Sequence, residues 1–346
     1  MQYSGPMGTT RFNDAAYTQK EQMYSSEIHD LRIAAEVHRE VRKYAREIIR
    51  PGCKLIEAVE SIDTACRTLL KTNGLNHIES GIAFPCGLSL NSCAAHYTPN
   101  PGDQVVLQEG DLIKVDIGTH VHGHIIDAAF SMCWNPELQP VVEASREATN
   151  KGVELAGPDV LLQDLGDAIE EVITSYEATI GGKTYPLKPV RNLAGHMLGN
   201  YLVHAGEKSV PIAKNSGDPT TRMEEGELYA IETFASTGRG SITEDGETSH
   251  YMMDPQAPNT PVRNPKAEHL LHFIHRNYDT LAWCRRWLEN AGETRHLMSL
   301  KHLADQGLVQ PCPPLYDVRG SYVSQHEHTV FLGPSHKEVL SKGEDY

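Results

Sequence analysis

The stretch from Asp111 to Met132, DLIKVDIGTHVHGHIIDAAFSM, restricts the fold of this chain more than any other. It reads as two apolar strands joined by a short loop, yet each strand carries an aspartate, Asp116 and Asp127, where a core residue is expected. In the first strand Ile113, Val115 and Ile117 share one face and Asp116 takes the other; in the second, Ile125, Asp127 and Ala129 share a face. Gly118 and Gly123 bracket the expected turn, where permissive backbone angles are needed. Aspartate is depleted in strands and almost never fully buried alone. A buried carboxylate without a partner takes up a proton or destabilises the fold. No lysine or arginine lies between Val115 and Asn135. A divalent cation is therefore one candidate counter-charge. The plain alternative places both aspartates at strand ends in water.

Other segments repeat the oddity. In ELYAIETFA, Leu228, Ala230, Glu232 and Phe234 share a face, and in YVSQHEHTVFL, Val323, Gln325, Glu327, Thr329 and Phe331 do. His196 sits in the glycine-flanked AGHMLG. Two Asp, two Glu and one His form an oxygen-rich set that suits two carboxylate-bridged divalent ions better than a structural zinc cluster. Such a pair shares a water and lowers its pKa. The set is dispersed, and each member alone reads equally as a solvated glutamate or a satisfied core histidine. His96 in NSCAAHYTPN and His204 in NYLVHAG are candidates to face a substrate beside the metals.

Composition narrows the class. The 346 residues are 39% hydrophobic and 22% charged, as in a globular protein of one large or two ordinary domains. A net charge of -15 argues against a general nucleic-acid binder, DNA included. No apolar run reaches a membrane span and the first thirty residues lack a signal core. Seven scattered cysteines, an odd number without CxxC spacing, suggest reduced thiols and a cytoplasmic location.

Along the chain, residues 1–26 read as a polar, loosely held tail. Leu31, Ala34, Val37, Val41, Tyr44 and Ile48 predict a helix stopped by Pro51-Gly52. Leu55, Val59, Ile62, Cys66 and Leu69 predict a second, ended by Asn73-Gly74. Two more helices are expected at about 140–156 and 161–178. The order helix, helix, strand pair, then helix, helix, strands hints at a duplicated α+β unit. Between 255 and 315 the pattern turns to short helices, preceded by Pro255, Pro258, Pro261 and Pro265 and closed by Pro311, Pro313 and Pro314. This segment reads as a helical subdomain inserted into a catalytic domain made of 27–254 and 316–346. From Pro261 to Gly307 seven Lys/Arg face five Asp/Glu, too thin an excess for a phosphate-binding surface.

The motifs FPCGLSLNSCAAHYTPN, KVDIGTHVHGHIIDAAF, RNLAGHMLGNYLVHAG, TRMEEGELYAIETFASTG, CRRWL and GSYVSQHEHTVFL together closely resemble the type 2, eukaryotic kind of methionine aminopeptidase. The likeness runs from about residue 27 to Tyr346. It implies the α+β pita-bread fold of the M24 metallopeptidases, with an antiparallel-rich curved sheet covered by helices. It also implies hydrolytic removal of the initiator methionine from nascent proteins when the second residue is small. By matching motifs, Asp116, Asp127, His196, Glu232 and Glu327 would ligate two divalent ions, with Asp127 and Glu327 bridging. Glu232 would also accept the proton of the attacking water. His96 and His204 would contact the substrate, and His96 would be the residue alkylated by fumagillin-type epoxides. Phe84, His250, Ala282 and Leu315 would line the methionine pocket. Cobalt, manganese, iron and zinc are all admissible ions. A monomer acting on N-terminal methionine peptides is the expected form.

Two positions depart from the resemblance. Cys312 stands where the family motif has a tyrosine, and Ala194 where it has a polar residue beside the metal-ligand histidine. The long charged extension found in many members does not appear, so ribosome association linked to that extension is left open. The rival readings are an Xaa-Pro peptidase and a non-catalytic binding protein of the same fold.

Overall fold

The computed structural model describes residues 2–6, 8–10, 15–71, 78–257 and 261–346. Asn73, Gly74 and Pro258 lie outside the described residues. The aspartate hairpin forms, with Leu112–Val121 antiparallel to His124–Cys133. Its turn is the pair His122-Gly123, with φ of 47° and 78°, the left-handed geometry that matches hairpin twist. Gly118 is therefore not a turn residue. It lies within the strand opposite Asp127, and a Cβ there would stand 2.3 Å from the Phe84 ring. The register sets Asp116 opposite Ala129 and Gly118 opposite Asp127, so both carboxylates leave the hairpin on one face.

Helical periodicity supplies the first cover of this hairpin. Ser25–Ile48 buries Leu31, Ala34, Val37, Val41 and Ala45, and Leu55–Lys71 buries Leu55, Val59, Ile62 and Cys66. These side chains share a core with Ile113, Val115 and Ile117. Each fully buried Leu, Ile or Val there contributes about 1.5–3 kcal/mol. A second helix pair, Gln139–Leu155 and Leu162–Thr174, packs in a separate core with Tyr229, Ile231, Phe234 and Val330. The second of these helices stops short of the expected 178. It ends at Thr174, and Glu177–Ile180 then turns back on Lys183–Pro186 through Gly181 and Gly182, whose φ values of 58° and 79° form the hairpin turn.

Among the described residues the larger sheet has seven strands. Val323–Leu332 lies at its centre, between Leu228–Ser236 and His336–Val339, and Ala194–Gly199 and Leu202–Pro211 extend it. The hairpin belongs to a separate four-stranded sheet, whose His124–Cys133 strand runs beside Val323–Leu332. That meeting line brings the aspartates to the glutamates.

The 255–315 segment holds helices Pro265–Asn277, Arg285–Asn290 and Leu297–Asp305 around Leu270, Ile274, Trp283, Trp287 and Leu303. Asn264 caps the first by accepting from the Lys266 and Ala267 amides, with Pro265 in the first turn. Pro311 does not close a helix as expected. It lies in Val309–Cys312, an edge strand paired with His250–Met253, where a missing N–H is tolerated. The segment is anchored to the Leu55–Lys71 helix: Arg286 Nη2 and Trp287 Nε1 donate to the buried Asp63 carboxylate at 3.1 and 2.6 Å.

The tail before Ser26 is not loose where it is described. Ala15–Met23 is helical, Ser25 opens the long helix, Thr9–Thr10 pairs with the His336–Val339 strand, and Ser4 bonds Glu36 through its amide and hydroxyl. Tyr3 and Tyr24 also pack against the main apolar core, so polar bonds and aromatic contacts together hold it there. Among the described residues no helix is long and apolar enough to cross a membrane.

Candidate metal centre

Five of the residues singled out above are drawn into one cluster. Glu232 and Glu327 are directly opposed across their strand pair, and His196 lies on the next strand, opposite Ala230. Gly195 permits that approach, since a Cβ on it would stand 2.5 Å from the Ala230 carbonyl oxygen. His196 Nε2 is 3.6 Å from Asp127 Oδ2 and 4.0 Å from Glu232 Oε1. Its Nδ1 meets the Met197 carbonyl at 3.3 Å; as donor there it leaves the Nε2 lone pair facing the carboxylates. Ligand atoms of Asp127, His196 and Glu327 lie within 4.8 Å of one another. Asp116 joins through Gln325, whose amide donates to Glu232 Oε2 at 3.0 Å and to Asp116 Oδ2 at 3.4 Å.

The electrostatics are those of a site built for cations. Burial pushes the Asp116 carboxyl up to about 6. Burial and then the Asp116 charge raise Glu232 to about 8. Asp127 and Glu327 are raised well above the carboxylate range by burial first and by the neighbouring carboxylates second. Among the described residues no salt bridge joins a lysine or arginine to any of the four. The nearby Lys114 does not serve: its buried ammonium donates to the Asn91 carbonyl, and burial lowers it to about 7. Asp116 Oδ1 and Glu327 Oε2 are buried without any hydrogen-bond partner. Orphaned buried oxygens beside a neutral imidazole fit a hard divalent ion.

The substrate-side candidates border this cluster. The His204 ring stands 4.3 Å from that of His196, edge to face. It is exposed by surface area, yet the protein massed around it still lowers its pKa. His96 has φ of 64°, a left-handed conformation uncommon outside glycine and seen at functional sites. Burial, then His204, brings its imidazole down to about 4. His250 lies 6.1 Å from His96, ring to ring, and its Nε2 meets the Pro85 carbonyl at 3.2 Å. Leu315 pairs with Ala95, next to His96. Phe84 and Ala282 belong to one apolar cluster. Cys312 sits opposite His250 in the strand pair, its thiol raised to about 12 by burial and Glu244, so it stays protonated. Ala194 offers His196 no polar contact; the Met197 carbonyl does that work.

Sequence reading placed Gln325 and Thr329 on the face of Glu327 and assigned them nothing. Gln325 in fact tethers two carboxylates. The signal was a buried amide two residues from a glutamate on one strand face, which names no partner.

Comparison with known proteins shows the family. The model of metallopeptidase family M24 matches residues 29–252. The chain is 53% identical over 318 residues to methionine aminopeptidase 2A of Arabidopsis thaliana, covering 92% of this chain and 71% of that one. It is 51% identical over 327 residues to methionine aminopeptidase 2 of Dictyostelium discoideum, covering 94% and 73%. Among solved structures, a thermophilic Arx1 superposes with a TM-score of 0.80 at 14% identity over 93% of this chain and 92% of its own. A methionine aminopeptidase from Thermotoga maritima gives 0.58 at 17% identity, over 97% and 100%. A prolidase from Pyrococcus furiosus gives 0.53 at 14%, over 96% and 69%. These structural likenesses speak to the fold.

Proposed function

The chain belongs to metallopeptidase family M24, among its methionine aminopeptidases of type 2, and from that premise we propose how its residues divide the work. The activity is hydrolytic removal of the initiator methionine with divalent metal. An Xaa-Pro peptidase is not favoured, because the prolidase likeness is one of fold at 14% identity. A non-catalytic reading is disfavoured likewise, since relatives at 53% and 51% identity are methionine aminopeptidases.

In this reading Asp116, Asp127, His196, Glu232 and Glu327 would hold the divalent metal, two ions on the family resemblance. The observation that carries it is a group of four carboxylates, Asp127 and Glu327 buried and Asp116 and Glu232 half-buried, that raise one another's pKa and leave two buried oxygens without a hydrogen-bond partner. When bound, the ions supply Lewis acidity that activates water and polarises the scissile carbonyl. Glu232 accepts the proton that the attacking water releases. Its Oε2 is held by Gln325, which fixes the carboxylate plane for that transfer. His96, neutral at pH 7 with a pKa near 4, donates a hydrogen bond to the carbonyl oxygen as charge builds there, and His204 does the same from the rim. Phe84, His250, Ala282 and Leu315 enclose the unbranched thioether.

Metal analysis paired with turnover tests this. Chelated protein reconstituted in turn with cobalt, manganese, iron and zinc is expected to bind two ions per chain and to cleave Met-Ala-Ser but not Met-Pro-Ser. Cleavage by the fully chelated protein, or a preference for the proline peptide, would refute the reading.

A further inference from the structure

The strand carrying Asp127 and the strand carrying Glu327 run side by side but belong to different sheets and share no ladder. Two hydroxyls stand in for it. The Asp127 amide donates to Thr329 Oγ1 at 2.8 Å, and that hydroxyl donates to the Asp127 carbonyl at 2.6 Å. The mirror arrangement follows four residues along: the Gln325 amide donates to Ser131 Oγ at 2.9 Å, and Ser131 donates to the Gln325 carbonyl at 2.8 Å. Between the clamps the Glu327 carbonyl accepts from the Tyr346 phenol at 2.9 Å.

Each clamp spends its hydroxyl's only proton and an accepting lone pair on the two backbone groups of one residue, so the hydroxyl has one orientation. All members are buried, Thr329 and Ser131 at 0% and 4% exposure. A side chain interposed in this way holds two strands further apart than the ~4.8 Å of a direct ladder. The residues so held are Asp127 and Gln325, the latter tethering Asp116 and Glu232. The clamps on the Glu327 strand fall at 325 and 329, one on each side of Glu327.

We propose that Thr329 and Ser131 are positioning residues that set the separation of the carboxylates across the sheet junction, and with it the metal affinity of the site. This rests on the metal-centre reading above. Thr329→Val keeps the branched shape and removes the hydroxyl, leaving an amide and a carbonyl of Asp127 unpaired. It is expected to weaken Co(II) binding at least about tenfold, to shift the visible Co(II) absorption, and to lower kcat on Met-Ala-Ser while KM changes less than about twofold. Thr329→Ser should restore all three. A folded Thr329→Val with wild-type Co(II) affinity and spectrum would overturn the proposal. If thermal unfolding of the metal-free protein shows that Thr329→Val does not fold, Ser131→Ala carries the same test through Gln325; if neither folds, the hydroxyls are structural and the proposal fails. Wild-type protein that binds no Co(II) would instead sink the metal centre itself, so the two failures are distinguishable.

Discussion

Replacing Glu232 by glutamine leaves the side-chain volume nearly unchanged and removes a group that burial and Asp116 push from 4.5 up to about 8. Its new amide oxygen can still accept from Gln325, so packing and hydrogen bonding are retained. The difference is electrostatic. In metal-free protein the folded pKa of Glu232 is raised, so its share of stability is fully present below 4.5 and drains away as pH rises through about 8. Each tenfold in proton affinity is worth about 1.4 kcal/mol. Ionisation in the unfolded chain alone therefore favours unfolding by under about 1 kcal/mol at pH 5 and by about 3 kcal/mol at pH 7. Glutamine does not titrate. Metal-free Glu232→Gln should thus gain on the wild type by those amounts, levelling off above pH 8. His96 and His250, lowered by burial, work in the opposite sense as pH falls but are common to both proteins and cancel in the difference; Asp127 and Glu327, raised in part by the Glu232 charge, lose that part in the variant, which adds to its gain. Urea unfolding in chelator at pH 5, 6, 7 and 8 reads the difference directly. With saturating divalent ion the order should reverse, because ligand binding to the native state stabilises the wild type more. A stability difference that is flat with pH, or that shrinks as pH rises, would refute the idea of an uncompensated carboxylate cluster.

Asp127→Asn should abolish both bound metal and turnover; a fully active, metal-loaded variant by elemental analysis contradicts the ligand assignment. His96→Ala should lower kcat by about 10²–10⁴ with metal content unchanged, and a retained kcat would remove His96 from the chemistry. Asp63→Ala leaves the buried Arg286 guanidinium and Trp287 indole unpaired. It should cost about 3–5 kcal/mol in denaturant unfolding, and a loss below about 1 kcal/mol would mean that the inserted segment is anchored elsewhere.

The sequence by itself determined the hairpin, the four main helices and the oddity of carboxylates in apolar strands. Those features rest on periodicity over a few residues, and an aspartate between Val115 and Ile117 signals its cost without knowledge of what lies opposite. The helix at 162 ran on in the reading because nothing local weighs a helical continuation against the Gly181-Gly182 hairpin that follows it. Gly118 looked like a turn residue because glycine serves turns and close approaches alike, and only Phe84, distant along the chain, decides between them. Tertiary structure alone decided that Asp127, His196 and Glu327 share one space, that Gln325 binds Asp116 to Glu232, and that two hydroxyls join the sheets. Those contacts link residues up to 209 positions apart. Side-chain alternation says which way a residue faces, whereas the partner it meets depends on how two sheets are set against each other.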